Sequence, residues 1–559
     1  MKIKYLVILI VTVFLVACSA NQTTAPRPSV NEKMITLVKQ IVEETNAFYY
    51  FLDGLVAGYK SSRSDVLTPT FYIFSGKKTL DEANQELTDL GLSQIVEEWA
   101  SNVYVLPPAN GEKYTDEDAV AFLDLVAKAP VTNVKVIGLD EGATFVNNQI
   151  APKYSYLIAG VLSIGGEVEK GKVLTEMVPA YISTSSQDVV QLYTGGNQTK
   201  DNVFIDSKNN LQKVVVSDKE KALSEFFQDA WDQIFSQNYR MHNDTTEFYM
   251  ANPKEVTSGY SLEPVVDFEQ LGLDYHQNEE VALNGKGKYT WYEYVPKDID
   301  DEDKQSVPLI VTQHGFGNDP RLQGDTSGWV ELAAKEGMIV VSPEWQDKEN
   351  NFAKVEGLDE AGVIELVEYL KEEYPQINPN QVYITGLSAG GSKAALWAAK
   401  HPDVFAASAS VSSPGIDKAE LLQVSTNSFK DLVPYLYIVG DHDFFQMIPV
   451  DGSSKYGMPN KFFDDPNVSM FEFIQAYQRI NDMIVSDNPD MSLNQFYGLS
   501  FNKERWFELG NKKTFEGSLA DADGKEVIRL VAIENLAHWN YRPEAEYIWQ
   551  FFKQYHLKD

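Results

Sequence analysis

Ser388 stands at the centre of a Gly-x-Ser-x-Gly pattern, Gly386–Gly390. The β-branched and aromatic run Val382–Thr385 precedes it and predicts a buried strand, and the alanine-rich stretch Ser392–Lys400 follows and predicts a helix. A strand, a tight turn and a helix in this order are typical of a nucleophile elbow, which exposes the serine hydroxyl at the helix N-terminus. There the helix dipole favours the negative charge that develops during attack on a carbonyl carbon. The alternative is a glycine-rich turn that contains an ordinary polar residue.

A base and an orienting carboxylate must accompany this serine, because its hydroxyl is a weak nucleophile alone. A predicted strand, Tyr435–Gly440, leads into a loop with two candidate acids, Asp441 and Asp443. Another predicted strand, Val527–Ile533, precedes His538, which we expect to be the base. Three more histidines after the serine suit this role less well: His401, His442 and His556. The chain order serine, acid, histidine is the one that elbow-bearing hydrolases use.

Two backbone N–H groups must also face the oxygen that becomes negative during acyl transfer. Ala389, which directly follows the nucleophile, supplies one of them at the start of the predicted helix. We expect the other from the loop His314–Asn318, which follows the predicted strand Leu309–Gln313. Phe316 and Gly317 are the candidate donors within this loop.

The elements that position these residues are predicted to occur twice along the chain. Strands alternate with helices both in the first half, from the strand Pro69–Gly76 onward, and in the second half, from Pro308–Gly315 onward. Such alternation indicates a parallel sheet with helices on both faces. Gly138–Gly142 occupies the same place in the first half as the elbow does in the second. We therefore predict an α/β fold of two tandem, doubly wound sheets.

The first of these sheets is predicted to be degenerate. Its elbow carries Asp140 in place of serine, and the first histidine of the chain is His242. Without an imidazole there is no general base near neutral pH for a serine mechanism. An aspartate nucleophile is conceivable, but it would still lack a histidine to activate water. We expect a structural or ligand-docking role for this half, which we predict to open with a helix over residues 33–60.

The length and charge of the chain limit its function. At 559 residues it is too long for one ordinary core. A formal net charge of −34 argues against nucleic acid and anionic membrane surfaces as partners. The predicted division is a signal peptide over 1–18, a flexible tether over 19–32, a degenerate domain over 33–245 and a catalytic domain over 246–559.

Cys18 is the single cysteine of the chain, so an internal disulfide is excluded. It follows a basic start, Met1–Lys4, and an apolar run, Tyr5–Val16, that is short for a membrane span. The stretch Leu15–Cys18 resembles a bacterial lipobox, in which the cysteine is lipidated and becomes the mature N-terminus. We expect a lipid-anchored protein on the extracytoplasmic face of a cell membrane. The alternative is an ordinary signal peptide cut near Ala20.

Residues 280–559 resemble the polyhydroxybutyrate-depolymerase and feruloyl-esterase branch of the α/β-hydrolases. The segments that carry the resemblance are Gln313–Phe316, Ser342–Trp345, Tyr383–Gly391 and His401–Ala407. The resemblance implies hydrolysis of a small or polymeric carboxylic ester through an acyl-enzyme on Ser388, without metal or organic cofactor. It also selects Asp443 over Asp441 as the acid, His538 as the base, and Phe316 with Ala389 as the donors to the oxyanion.

Two features depart from that branch, namely the long spacing from acid to histidine and the degenerate first half. They leave the substrate open more than the chemistry. A serine peptidase of the prolyl-oligopeptidase kind shares the elbow, although no propeller repeats precede it in this sequence. A non-catalytic binding lipoprotein with a vestigial site is the third hypothesis.

Overall fold

The computed structural model describes residues 38–42, 47–52, 63–99, 101–128, 133–197, 200–217, 220–241, 261–301, 303, 305–351, 354–424, 432–443, 445–454 and 466–557. These residues form two compact units, the first ending at Val265 and the second beginning at Val266. The predicted signal peptide, lipidation site Cys18 and tether lie outside the described residues. Within the described ranges, no helix is both long and apolar enough to cross a membrane.

The described part of the first unit is built on a nine-stranded mixed sheet with the order β1-β2-β4-β3-β5-β6-β7-β9-β8. Its strands are β1 (Val38–Val42), β2 (Ala47–Leu52), β3 (Thr70–Phe74), β4 (Asn102–Val105), β5 (Val134–Leu139), β6 (Ile158–Ile164), β7 (Ala180–Ser183), β8 (Val203–Ile205) and β9 (Lys213–Ser217). The six strands from β4 across to β9 are parallel, and β1, β2 and β8 are antiparallel to their neighbours. The alternation of strands and helices predicts such a parallel centre.

A two-stranded ribbon, β10 (Asn238–Met241) with β11 (Ser261–Pro264), completes the first unit. β11 belongs to the first unit because it pairs with β10. The sequence division between residues 245 and 246 places the residues of β11 in the second domain instead. The helices of this unit are α1 (Leu80–Leu90), α2 (Ser93–Trp99), α3 (Asp116–Lys128), α4 (Glu141–Phe145), a π-helical turn (Val146–Ile150), α5 (Ala151–Tyr154), α6 (Gln187–Thr194) and α7 (Leu223–Gln233), with 3-10 turns at Asp65–Leu67 and Phe235–Gln237.

The helix predicted over residues 33–60 is wrong. β1 and β2 lie within that range and form an antiparallel pair, in which Val38 faces Phe51. The apolar residues do recur at helical spacing there, but β-branched and aromatic side chains such as those of Phe48–Phe51 favour extended backbone. Strand pairing with β4 outweighs the weak helical pattern.

Two helices, α1 and α2, lie between β3 and β4 in the chain. α1 ends at Gly91, whose φ of 69° lies in the left-handed region that terminates helices. A capping box starts the same helix, since the Thr79 side chain accepts from the Glu82 N–H and the Glu82 carboxylate accepts from the Thr79 N–H. α1 and α7 cover one face of the sheet, where the buried side chains include Phe71, Leu87, Phe227 and Trp231.

The described part of the second unit is built on a ten-stranded sheet with the order β12-β13-β15-β14-β16-β17-β18-β21-β20-β19. Its strands are β12 (Leu273–Leu283), β13 (Lys286–Pro296), β14 (Val307–Gln313), β15 (Ile339–Pro343), β16 (Ile377–Leu387), β17 (Ala407–Val411), β18 (Tyr435–Gly440), β19 (Lys503–Leu509), β20 (Lys512–Ala520) and β21 (Glu526–Ile533). The strands from β15 across to β21 are parallel, and the outer strands on both sides are antiparallel.

Helices cover both faces of this second sheet. Buried residues of the central strands, such as Leu309 and Ile384, pack against Val363 and Val367 of one helix, while Tyr383 stacks on Phe552 from another. The helices are α8 (Arg321–Thr326), α9 (Trp329–Glu336), α10 (Glu360–Glu373), α11 (Ala389–Lys400), α12 (Lys418–Leu421), α13 (Pro466–Ile480) and α14 (Pro543–Phe552), with a 3-10 turn at Ile299–Asp301. Since the central strands are parallel, their carboxyl ends meet at one edge, where loops from several strands can converge.

Candidate active site

Ser388 lies between β16 and α11 in a strained backbone conformation, with φ 55° and ψ −122°. Positive φ is costly for a residue with a side chain and persists only where the surroundings hold it. Here the Ser388 N–H donates to the Val411 carbonyl at 2.8 Å, and its carbonyl accepts from the Ser392 N–H at 3.1 Å. The residue is half-buried, so the turn presents it at the edge of the sheet. The structure thus contains the strand, turn and helix that the sequence pattern predicts.

The two glycines of the pattern are required by close backbone approach. A Cβ added to Gly386 would lie 2.6 Å from the carbonyl carbon of Gly390. A Cβ added to Gly390 would overlap the carbonyl oxygen of His314. The elbow therefore packs directly against the end of β14, where the predicted oxyanion loop begins.

His538 and Asp443 are in direct contact. The Nδ1 of His538 donates to Oδ2 of Asp443 at 2.7 Å. The carboxylate is almost fully buried, at 1% exposure, and its other oxygen accepts from the Phe445 N–H at 2.9 Å. The Phe445 ring packs edge-on against the imidazole, with centroids 4.9 Å apart. These contacts fix the orientation of the imidazole and direct Nδ1 toward the acid.

The alternative acid, Asp441, has a different set of contacts. Its Oδ1 accepts from the Asn535 N–H at 2.7 Å and contacts Nδ1 of His442 at 2.7 Å. It thereby joins the loop after β18 to the loop after β21. Of the two aspartates, the structure brings Asp443 to His538. Among the other candidate histidines, His401 contacts Glu360, and His556 is exposed.

The loop after β14 distinguishes the two candidate oxyanion donors. The Gly317 N–H donates to Oε1 of Gln346 at 2.7 Å, so it is already committed. The Phe316 N–H has no acceptor among the described residues. Ala389 is the first residue of α11, and the first N–H groups of a helix have no partner within it. The loop is thus arranged with Phe316, not Gly317, as the donor that remains available beside the elbow.

His314 is fully buried at the start of this loop and shapes it. Its Nδ1 lies 2.9 Å from the Gly315 carbonyl, and its Nε2 lies 3.1 Å from Oε1 of Glu344. Trp345 donates from its indole N–H to the His314 carbonyl at 2.8 Å. Both ring nitrogens are engaged, which agrees with a loop-shaping role. No sequence pattern predicts that Glu344, Trp345 and Gln346 contact this loop. The signal that could have found them is their position, since they directly follow β15 and so lie at the same sheet edge.

The loop after β17 is held on the elbow helix. The Ile416 N–H donates to Oγ of Ser392 at 3.0 Å, and Lys393 donates to Asp417 at 2.8 Å. Burial raises the pKa of Asp417, and the neighbouring Lys393 opposes that shift. The Ile416 side chain is 48% exposed, so this loop adds an apolar side chain to the surface one turn beyond Ser388.

The sequence model of the prolyl oligopeptidase family matches residues 337–417, which include the elbow. Poly(3-hydroxyalkanoate) depolymerase C of Paucimonas lemoignei is 29% identical over 160 residues, 24% of this chain and 37% of that protein. The bifunctional acetylxylan esterase/xylanase XynS20E of Neocallimastix patriciarum is 26% identical over 174 residues, 29% of this chain and 25% of that protein. These sequence matches support the α/β-hydrolase superfamily.

An acetyl xylan esterase from Aspergillus awamori is a similar solved structure, at 13% identity and a TM-score of 0.33 over 50% of this chain and 99% of that one. The chain spans about a third and a quarter of the two sequence relatives, so their activities do not transfer as a whole. In α/β-hydrolases the nucleophile, the acid and the histidine come in this order along the chain. Ser388, Asp443 and His538 follow β16, β18 and β21, whose carboxyl ends lie at one edge.

Proposed function

We propose that the protein is a serine hydrolase that cleaves a carboxylic ester through an acyl-enzyme on Ser388. One observation carries this proposal. The buried Asp443–His538 pair lies at the same sheet edge as a serine held at φ 55°. The pair supplies the base that the serine hydroxyl needs in order to act as a nucleophile. Esterase and depolymerase activities in the names of the two sequence relatives agree with the ester as substrate.

The proposed reaction has two steps. Oγ of Ser388 attacks the ester carbonyl carbon while its proton passes to Nε2 of His538, and the Phe316 and Ala389 N–H groups stabilise the oxyanion. The imidazolium then gives its proton to the leaving alcohol as the acyl-enzyme forms. Water attacks the acyl-enzyme in the second step and gives its proton to His538, and the collapse of the intermediate releases the carboxylic acid and restores Ser388.

A serine peptidase is the second candidate, because the prolyl oligopeptidase model matches the segment from residue 337 to residue 417. That segment holds the elbow but ends before Asp443 and His538, so it is equally compatible with an ester substrate. An elbow serine with an oxyanion hole can attack either carbonyl. The two candidates differ in the leaving group, an alcohol or an amine.

Fluorophosphonate labelling followed by peptide mapping tests the nucleophile. We expect a single labelled residue, Ser388. A panel of short-chain acyl esters and dipeptide anilides then separates the two substrate classes, and we expect alcohol release to exceed amine release. A protein that hydrolyses neither panel and takes no label would be the binding lipoprotein instead.

Two neighbouring aspartates provide a matched test of the proton relay. Asp443→Asn should lower kcat by about 10⁴-fold, because an amide favours the wrong tautomer of His538. Asp441→Asn keeps an oxygen that can accept from Asn535, and it should leave kcat close to that of the wild type. Equal losses in the two variants would contradict the assignment of Asp443.

We infer that the first unit is a non-catalytic copy of the second. The nine strands of the first sheet match nine strands of the second in order and direction, and the second sheet has one further antiparallel edge strand, β19. Asp140, with φ 49° and ψ −108°, has nearly the same backbone conformation as Ser388. The sequence before residue 242 contains no histidine, so a serine or aspartate at this elbow would lack a base. A structural role of this copy agrees with both observations.

We also propose that Cys18 anchors the protein by lipid to the extracytoplasmic face of a cell membrane, on the lipobox-like stretch Leu15–Cys18. Fractionation of cells that express wild type and Cys18→Ser tests this. We expect the wild type in the membrane fraction with incorporated radioactive fatty acid, and the variant without that label. Equal fatty-acid incorporation would contradict lipidation at this cysteine.

A further inference from the structure

Three consecutive residues after β15 hold the loop that carries the proposed oxyanion donor. Glu344 contacts the His314 ring, Trp345 donates to the His314 carbonyl, and Gln346 accepts from the Gly317 N–H. We call Glu344, Trp345 and Gln346 the clamp. Its contacts fall on both sides of Phe316, so it defines the position of the peptide that bears the Phe316 N–H.

The clamp is itself rigid. The Glu344 and Gln346 side chains are buried, at 2% exposure each. Oε1 of Glu344 accepts from the Gln346 N–H at 2.8 Å as well as facing His314. The Gln346 carbonyl accepts from Nδ2 of Asn351 at 2.9 Å, and the Glu344 carbonyl accepts from the Leu358 N–H at 2.8 Å. Nε2 of Gln346 is buried without a partner among the described residues. The other contacts named here pair the polar groups of the clamp and favour one arrangement.

The His314 ring is held at both nitrogens. Nδ1 lies 2.9 Å from the Gly315 carbonyl, and Nε2 lies 3.1 Å from Oε1 of Glu344. His314 and Glu344 are both buried, so these contacts hold the ring in place at the start of the loop.

We propose that Gln346 is a positioning residue of the oxyanion hole, an inference that rests on the proposed function. By accepting from the Gly317 N–H, the Gln346 amide oxygen fixes the plane of the peptide that follows Phe316. The Phe316 N–H then points to the site where the oxyanion forms. The Gly317 N–H is bonded to Gln346 and does not donate to the oxyanion. Such preorganisation lowers the energy of the transition state and leaves substrate binding unchanged.

Gln346→Met removes the acceptor at nearly constant side-chain volume, and Gln346→Glu keeps an oxygen in its place. We expect Gln346→Met to lower kcat on an acyl ester by about 10- to 100-fold and to leave KM unchanged. This decrease is at most about as large as the one caused by removing an oxyanion donor. Gln346→Glu keeps the acceptor but buries a second carboxyl group beside Glu344, so its kcat should lie between those of Gln346→Met and the wild type. A rise in KM with kcat unchanged, or a kcat of Gln346→Met equal to that of the wild type, would overturn the proposal.

Asn351→Ala is the matched structural control. It removes the bonds from Asn351 to the Gln346 and Val355 carbonyls but leaves the contact to Gly317 in place. We expect it to lower Tm and to lower kcat by less than Gln346→Met does, because the acceptor for the Gly317 N–H stays in place. Equal kcat losses in Asn351→Ala and Gln346→Met would assign the effect to loop packing and overturn the proposal.

The rate of fluorophosphonate labelling separates the two levels of inference. A wild type that takes no label at Ser388 would refute the proposed function itself. A wild type that is labelled, together with a Gln346→Met variant labelled at the same rate, would refute only the role of Gln346.

Discussion

The two elbows of this chain have the same backbone but different side-chain surroundings. Ser388 and Asp140 both have positive φ, and each donates its N–H to the last residue of the neighbouring strand, Val411 or Ile164, at 2.8 and 2.9 Å. A Cβ added to Gly142 would overlap the Phe74 carbonyl at the end of β3, and a Cβ added to Gly390 would overlap the His314 carbonyl just after β14. The strained turn is therefore a property of the fold and persists where serine is absent.

The loops beside the elbows differ in how their amides are satisfied. In the first unit the N–H groups of Ser75 and Gly76 both donate to the Tyr114 hydroxyl, at 3.1 and 3.0 Å, and that hydroxyl donates to the Leu106 carbonyl at 2.6 Å. Tyr114 also stacks on Phe145 with centroids 4.7 Å apart. A single aromatic side chain thus takes the place of the clamp, and it also packs against Phe145 at the end of α4.

This contrast separates the features that belong to the fold from those that accompany the serine. The strained turn, its glycines and the order of nine strands are common to both units. The histidine–carboxylate pair occurs in the second unit, beside a serine, and the described part of the first unit contains no histidine. An elbow pattern alone therefore indicates the fold, and the groups around it indicate the reaction.

The largest expected difference between the two elbows is in the rate of ester hydrolysis. Ser388→Ala should lower kcat on the order of 10⁶-fold, because no other side chain can form the acyl-enzyme. Asp140→Ala should leave kcat unchanged, since no histidine accompanies it. Initial rates on a chromogenic ester, with circular dichroism as a check of folding, measure both. A comparable loss in Asp140→Ala would show that the first elbow takes part in the reaction.

The close packing of the elbows predicts similar losses of stability but different losses of activity. Gly390→Ala and Gly142→Ala each place a Cβ against a backbone carbonyl and should cost about 1–3 kcal/mol or more. Gly390→Ala should also lower kcat because it displaces Ser388, whereas Gly142→Ala should lower only Tm. Gly362→Ala, in the half-buried first turn of α10, is the control: its Cβ would meet a side-chain atom, Cδ2 of Leu358, at 3.0 Å and no backbone carbonyl, so it should cost less than the other two. Full activity of Gly390→Ala at unchanged Tm would contradict the close approach.

The strands that precede Ser388 and His538 could be predicted from the sequence because the residues that indicate each strand are adjacent in the chain. Val382–Thr385 and Val527–Ile533 are short β-branched runs, and each leads directly into the loop that carries a proposed catalytic residue. The contact of Asp443 with His538 follows from the rule that parallel strands end at one edge of a sheet. Because Asp443 and His538 are 95 positions apart, no local sequence pattern predicts their contact, and the prediction depends on the order of the strands in the sheet.

Other features could not be predicted because they depend on the conformation of two loops at once. The bond from Gly317 to Gln346 joins residues 29 positions apart, and the bond from Asn535 to Asp441 joins residues 94 apart. Neither pair forms a recurring sequence motif. The hairpin of β1 and β2 was missed for a different reason, since short apolar stretches fit helical and extended periods alike.

The Tyr114 hydroxyl should contribute to stability and not to activity. Tyr114→Phe leaves the amides of Ser75 and Gly76 and the Leu106 carbonyl without their partner, which should cost about 1–3 kcal/mol. Thermal unfolding followed by circular dichroism measures this loss, and kcat on an ester should stay at the wild-type value. A lower kcat in Tyr114→Phe at unchanged Tm would mean that the filled elbow of the first unit influences the reaction.

The smallest expected difference concerns the helix after the last parallel strand of each unit. Glu544 at the start of α14 accepts from the Tyr541 N–H at 3.1 Å, and Glu225 at the start of α7 accepts from the Ala222 N–H at 2.9 Å. Glu225 is exposed, whereas Glu544 is buried, and burial raises the pKa of Glu544 well above its usual range.

A carboxyl whose pKa is higher in the folded than in the unfolded state stabilises the fold below its unfolded pKa, and this contribution is lost as pH rises through the folded pKa. Glu544→Gln should therefore raise Tm relative to the wild type at pH 8, by about 2–4 °C per kcal/mol gained, with a difference that shrinks toward pH 4. Glu225→Gln should show no such pH dependence, and a constant difference in Tm between Glu544→Gln and the wild type from pH 4 to pH 8 would mean that Glu544 stays ionised in the folded protein.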